Sequence, residues 1–333
     1  IGGVFVPADF FARFLRDRIG PENVIFVSGT DCYGSPIMES YRKLHDDQGY
    51  EKHISDYVEA NHESQAATLA GYDVEPDFFG GSALEPAVHV HEQMTDEIIL
   101  RLKEQGVLEK RATKQFFDPV AQQFLNGRQV TGRCPIQGCK SEKAYADECD
   151  LGHQFEPEEL IAPKSALTGE TPELRPVDNI YFDLPSYLDF LKGFTKKLEG
   201  DETVRSVVKP LEEWLNPPQL YIQNKFREAF DAIEGELPPH TVTDPEGNKS
   251  SFTVTFPSWR ERDDAHEVLG AGGVRFRSGK ALVPFRLTGN IAWGVPVTDE
   301  CGCSGLTCWV WPESLWAPVS FTRTALAADE QAG

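Results

Sequence analysis

Between Arg133 and Phe155, four residues of metal-ligand type sit in a stretch with few apolar side chains. Cys134-Pro-Ile-Gln-Gly-Cys139 is a C-x4-C pair, nine residues follow, and Cys149-Asp-Leu-Gly-His153 is a C-x3-H pair. Two short-spaced pairs joined by a loop can converge on one tetrahedral ion, with Zn–S of about 2.3 Å and Zn–N of about 2.0 Å. Three thiolates and an imidazole suit Zn²⁺, which is borderline-soft and imposes no d-electron geometry. Four protein ligands leave no open coordination position, so the expected zinc is structural. With so little to bury, the segment is expected to depend on the metal for its fold. The other reading left open is uncoordinated cysteines in a loop-rich module.

The remaining ligand-type residues are weaker candidates. The seven cysteines are odd in number and follow no leader peptide, which argues against a secreted disulfide scaffold and for a reducing, cytoplasmic compartment. Cys301-Gly-Cys303-x4-Cys308 has no fourth ligand nearby, and Cys308 reads as a small buried hydrophobe. His89-Val-His91 opens a helix and reads as two solvated imidazoles.

Around the knuckle the pattern is α/β. Phe10, Phe11, Phe14 and Leu15 recur at helical spacing, and Gly20-Pro21 ends that helix. Val24-Ile25-Phe26-Val27 is apolar on both faces, as in a buried parallel strand, and the turn-rich run Gly29 to Gly34 follows it. Helices are expected over 36–48, with Gly49 as C-cap, and over 53–70 and 88–105. This order points to a doubly wound sheet, whose ligands sit beyond the carboxyl ends of the strands, where Asp31 lies. From 112 to 185 short strands broken by Gly, Pro and Cys are expected. Helices return over 187–233 until Pro217-Pro218 interrupts them, and Ser251–Phe256 reads as a strand. Leu306–Trp311 reads as a central strand, and the last dozen residues are expected to fray.

The chain has 333 residues, beyond the usual single-core limit of about 250–300, so more than one domain is expected. Its net charge of −21 opposes nucleic-acid binding over the whole surface but leaves a local basic strip possible in principle. No run approaches the roughly 20 apolar residues of a membrane helix. Beginning at Ile1 with no leader-like segment, the sequence reads as a fragment.

Several separated stretches, in order, resemble methionyl-tRNA synthetase, a class I aminoacyl-tRNA synthetase family. They are Gly2–Asp9, Phe26–Asp31 followed by Gly34, Arg101–Gly106, Gln115–Asp118, the cysteine knuckle, Glu159–Ser165, Ile180–Pro185, Trp293–Val297 and Val310-Trp311. The resemblance implies a class I Rossmann-like nucleotide-binding sheet with an inserted zinc-knuckle connective domain. It implies activation of methionine by ATP with Mg²⁺, then transfer to tRNA. It divides the chain into 1–110 as the first half of the catalytic domain, 111–185 as the connective insertion, 186–290 as the remainder of that insertion and 291–333 as the return to the sheet.

By the same resemblance Asp31 is the carboxylate that holds the amino-acid ammonium, and Trp311 lines the methionine side-chain pocket. These two residues, 280 positions apart, are therefore expected to meet. The sequence departs from the family pattern in three ways. Cys32-Tyr33 stands where the family has Glu-His, the pocket-closing tyrosine has no match, with Trp316 the candidate to fill its space, and neither His-Ile-Gly-His nor Lys-Met-Ser-Lys-Ser occurs. Two alternatives follow: a degenerate paralogue activating another amino acid or none, and a non-catalytic zinc-knuckle module that binds RNA.

Overall fold

The computed structural model describes residues 1–332 except 126, 136–138, 142, 147, 152–154, 156, 199–204, 246, 248–249 and 303–304. The chain forms two compact units, one of Ile1–Tyr181 with Arg286–Gly333 and one of Phe182–Phe285. Among the described residues, no helix is long and apolar enough to cross a membrane.

In the first unit α1 (Phe5–Ile19) leads to β1 (Val27–Thr30). The helix forms where its apolar spacing predicts, but that stripe faces outward. Phe10, Phe11 and Phe14 are exposed, while Asp9 and Ala12 are buried. Asp9 is accommodated by Arg13, whose Nε lies 2.6 Å from its carboxylate, and by the Glu75 backbone N–H. The strand starts three residues later than its apolar run predicts. Pro21–Asn23 forms a 3-10 turn, and Phe26 is held by Asp77, whose Oδ2 accepts from its N–H at 2.6 Å.

After β1 come α2 (Ser35–Gln48), α3 (Ile54–Ala70), β2 (Phe78–Gly81) and α4 (Val88–Glu104). As predicted, Gly49 caps α2 in the left-handed region, at φ 69°, and its N–H returns to the His45 carbonyl. The strands β1 and β2 pair in parallel, with Gly29 opposite Gly80. A Cβ at Gly29 would collide with the Gly80 carbonyl and the Phe321 ring, so these two glycines let that ring lie directly on the strand pair.

Residues 108–181 depart from the expected short strands. The strands β3 (Leu108–Asp118) and β7 (Glu173–Phe182) run 11 and 10 residues, and β4 (Gln123–Phe124) pairs with β3. Between them β5 (Val130–Arg133) and β6 (Ile161–Ser165) form an antiparallel pair at the base of the cysteine segment. That segment is better filled than its composition suggests. Phe116, Leu125, Val130, Ala144, Ala146, Phe155 and Leu160 make a small buried cluster, against which Cys134 and Cys139 pack.

The second unit holds α5 (Leu188–Leu198), α6 (Arg205–Trp214), β8 (Gln219–Gln223), α7 (Arg227–Ile233), β9 (Thr241–Thr243), β10 (Ser251–Thr255), α8 (Trp259–Ala271) and β11 (Phe276–Ser278). Its strands form an antiparallel sheet in the order β11-β8-β10-β9. Leu220, Ile222, Phe252 and Val254 on one face pack with Phe230 of α7 and with Ala265 and Leu269 of α8. The period-2 alternation of β8 and β10 sorts the apolar residues to that side.

The chain returns through β12 (Phe285–Arg286), β13 (Thr288–Gly289) and β14 (Thr307–Cys308) to the long helix α9 (Val310–Ala332). Two expectations fail here. The run Leu306–Trp311 contributes a two-residue strand and then a helix start, and the chain end is helical rather than frayed. Ala317 and Phe321 of α9 cover Val27 and Phe78 of the parallel pair, burying an apolar side that a two-stranded ribbon could not bury alone.

Candidate functional site

The carboxyl end of β1, the cysteine hairpin and the start of α9 enclose a cleft of about 480 Å³ within the first unit. Asp31, Tyr33 and Ser35 form one wall, Arg128, Tyr145 and Glu148 a second, and Trp309, Trp311 and Ser314 a third. Each wall has a local cause. Thr30 ends β1, and the Asp31 carboxylate turns the chain by accepting from the Tyr33 N–H at 3.3 Å. The return segment is tied to this turn by Trp293, whose indole N–H donates to the Cys32 carbonyl at 2.7 Å. Tyr33 packs on the same indole, with ring centroids 5.5 Å apart.

Asp31 and Trp311 thus line one cleft. Burial among the cleft walls, with the Glu313 carboxylate second, pushes the Asp31 carboxyl up to about 6. The side chain is open to solvent on the cleft side, and water there screens the energetic weight of that shift. Trp311, at 69% exposure, is the second residue of α9 and presents its ring to the opening. Trp316 does not fill the cleft. It is buried in the core with Tyr33, Met94 and Ile99, and its Nε1 donates to Thr95 Oγ1 at 2.8 Å. Five positions beyond Trp311 along the helix, it falls on the face turned toward α4.

Beneath the cleft lies a pair that sequence reasoning missed. His91, expected in solvent, has no exposed surface. Its Nε2 lies 2.6 Å from Glu313 Oε2 and its Nδ1 3.0 Å from Ser320 Oγ, joining α4 to α9. Only His89 of the two histidines is exposed. The available signal was spacing, since His91 shares a helical face with Met94, Thr95 and Ile99, all buried. Burial raises the Glu313 carboxyl, and its contact with His91 opposes that rise. Glu313 Oε1 has no hydrogen-bond partner among the described residues.

The cysteine hairpin forms the second wall. The ligand atoms of Cys134, Cys139 and Cys149 lie within 4.8 Å of one another, and His153 lies outside the described residues. Cys139 Sγ and Cys149 Sγ are 3.9 Å apart, far beyond a disulfide bond. A tetrahedral zinc with sulfur at about 2.3 Å requires neighbouring sulfurs at about 3.8 Å, so the donor set fits that ion. The Ser141 backbone N–H donates to Cys139 Sγ at 3.4 Å, the kind of outer hydrogen bond that orients a thiolate ligand. Bridges from Ala144 to Gly132 and to Cys149 fold the hairpin, which carries Tyr145 and Glu148 into the cleft wall. The Arg128 guanidinium stands 5.3 Å over the Tyr145 ring. Of the other cysteine group, Cys301 and Cys308 sit in the core with Val295 and Val297, and Cys303 lies outside the described residues.

Residues 2–231 match the family described as tRNA synthetases class I (M). The methionine–tRNA ligase of Chlorobaculum tepidum is 35% identical over 217 residues, 65% of this chain and 29% of that protein. The methionine–tRNA ligase of Nanoarchaeum equitans is 33% identical over 195 residues, 58% of this chain and 24% of that one. Among solved structures, Mycobacterium tuberculosis methionyl-tRNA synthetase bound by methionyl-adenylate aligns with a TM-score of 0.45 and 14% identity, covering 95% of this chain and 42% of that chain. The chain spans less than a third of the length of these curated relatives.

Proposed function

We propose, from the premise that this chain belongs to the class I tRNA synthetase (M) family, that it carries the amino-acid-binding part of a methionine–tRNA ligase. The observation that supports this most is the shared cleft: a carboxylate at a strand end and an indole on a distant helix face the same 480 Å³ space.

In this reading Asp31, ionised above about pH 6, pairs with the methionine ammonium, and Trp311 presents a polarizable ring to the thioether. Arg128 is the cationic side chain lining the cleft and is suited to an anionic group of the reacting nucleotide. The reaction is attack of the methionine carboxylate on the α-phosphorus of ATP, with Mg²⁺, releasing pyrophosphate. The tRNA 3′-terminal hydroxyl then takes the aminoacyl group and AMP leaves. Positioning and charge stabilisation supply most of such catalysis. Cys134, Cys139 and Cys149, with His153 as fourth ligand, would hold a structural Zn²⁺, and the connective insertion of 111–185 would be the module it staples.

Tyr33 lines the cleft where the family pattern expects an imidazole, which favours a second reading in which the amino acid is not methionine. Calorimetric titration of the intact gene product with a panel of amino acids, followed by pyrophosphate exchange, tests both. Methionine should bind best and Asp31→Asn should weaken it at least ten-fold. Preference for another amino acid would select the second reading, and binding unaffected by Asp31→Asn would remove the site.

A further inference from the structure

The second unit has a sheet face that nothing above uses. Its inner face is apolar and covered by α7 and α8. The outward strand positions hold only Gln, Tyr, Ser, Thr and Arg277, and none of these side chains is buried. One row crosses all four strands in register, with Arg277 opposite Tyr221, Tyr221 opposite Thr253 and Thr253 opposite Thr243. At about 4.8 Å per strand the row extends about 14 Å.

The Tyr221 ring lies over Gly279, where a Cβ would meet it at 3.1 Å, and its hydroxyl donates to Gln219 Oε1 at 3.1 Å. The Arg277 guanidinium carbon lies 5.2 Å from that ring's centroid, and Arg277 makes no ion pair among the described residues. Charge singles this surface out. In a chain with 53 acidic residues against 32 basic ones, no carboxylate stands at an outward strand position here. The unit as a whole is far more balanced, with 17 acidic and 13 basic residues. Strands β9, β10 and β11 also lie beyond residue 231, where the family match ends.

We propose that this face binds single-stranded RNA, with a base stacked on Tyr221, its phosphate met by Arg277, and Thr253 and Thr243 of the same row offering hydrogen bonds to base edges and 2′-hydroxyls. A polar sheet with a half-buried tyrosine ring and a guanidinium that makes no ion pair among the described residues fits the chemistry of an unstacked strand: every base has a π-face, and arginine serves both ring and phosphate. A protein partner would call for apolar anchors, which the row does not offer beyond one tyrosine. The site lies in a different compact unit from the cleft and stands whether or not the cleft takes methionine.

The test is fluorescence anisotropy of a labelled ten-nucleotide RNA of mixed sequence with the intact protein. Binding should be saturable and weaken with salt. Tyr221→Ala should weaken it on the order of ten-fold, while Tyr221→Phe retains it. Arg277→Ala should weaken it and flatten the salt slope by roughly 0.7, one phosphate's share. Thr253→Glu, which removes no contact of the fold's core, should repel the strand. Circular dichroism establishes that each variant is folded. Equal binding by the parent, Tyr221→Ala and Thr253→Glu, no binding by the parent, or preference for duplex over single-stranded RNA would each overturn the proposal.

Discussion

His91 Nε2 and Glu313 Oε2 meet at 2.6 Å with essentially no solvent contact on either side chain, so a fully buried imidazole–carboxylate pair fastens α4 to the first turn of α9. The same turn carries Trp311 and Ser314 into the cleft. A buried pair of this kind does more harm when halved than it contributes when whole, because the remaining group is left without compensation. His91→Ala should lower unfolding free energy by about 3–5 kcal/mol in urea denaturation, and replacing both residues by apolar ones of similar volume should be milder. A loss below about 1 kcal/mol for His91→Ala would show that the pair does not fasten the helices.

Asp31 supplies a pH dependence. Its carboxyl is raised to about 6, so below that value it is mostly protonated and cannot pair with an ammonium group. Affinity for methionine should therefore rise as pH climbs from 5 to 7 and level off above. The stability of the unliganded chain depends on pH in the opposite sense. The folded state holds the proton more tightly than the unfolded one, so this group's contribution falls as pH rises from about 4 to 6. Calorimetry across that range on the parent and on Asp31→Asn checks the first statement; an unchanged pH profile in the variant would refute it.

Asp118 behaves in the opposite sense. Its side chain is fully enclosed. Burial alone would raise the carboxyl, yet hydrogen bonds from Ser165, Ala121, Thr168 and Val120 outweigh it and lower the value to about 2. The Thr168 hydroxyl donates to Oδ2 at 2.7 Å, and the Val120 and Ala121 N–H groups donate to Oδ1. The stabilisation is complete above the ordinary carboxylate range and fades as pH falls from about 4 toward 2. Asp118→Ala, which orphans those donors, should cost about 3 kcal/mol at neutral pH and much less near pH 2.

Metal analysis should give about one zinc per chain, and Cys149→Ser should lower both that figure and the melting temperature. Because Tyr145 and Glu148 ride on the cysteine hairpin, chelation should also raise amide hydrogen exchange over residues 127–149. Removal of zinc with no change in exchange there would separate the hairpin's order from the metal.

The sequence carried helices α1 to α4, the Gly49 cap and the meeting of three thiols, because each rests on local spacing. It also placed Asp31 and Trp311 together, though only through family resemblance; nothing in local periodicity relates positions 280 apart. What it misread was orientation. The Phe10, Phe11 and Phe14 stripe marks a helix without saying which side packs. The residue type of His91 suggests solvent, whereas its burial comes from the helical face it shares with Met94 and Ile99 and from a carboxylate 222 residues away. Leu306–Trp311 shows the usual ambiguity of short apolar runs, which suit a strand or a helix start equally.

The paired glycines of the parallel strands set a limit on how this cleft can be remodelled. Phe321 rests where any larger residue at Gly29 or Gly80 would stand, and it belongs to the same helix as Trp311, ten positions and so about 15 Å along the axis. A methyl group at Gly29 would meet the Gly80 carbonyl as well as the Phe321 ring, and one at Gly80 would meet that ring, so either substitution presses on the seat of α9 without touching a lining residue. The helix that brings Trp311 to the cleft is thus seated on two positions outside the cleft lining.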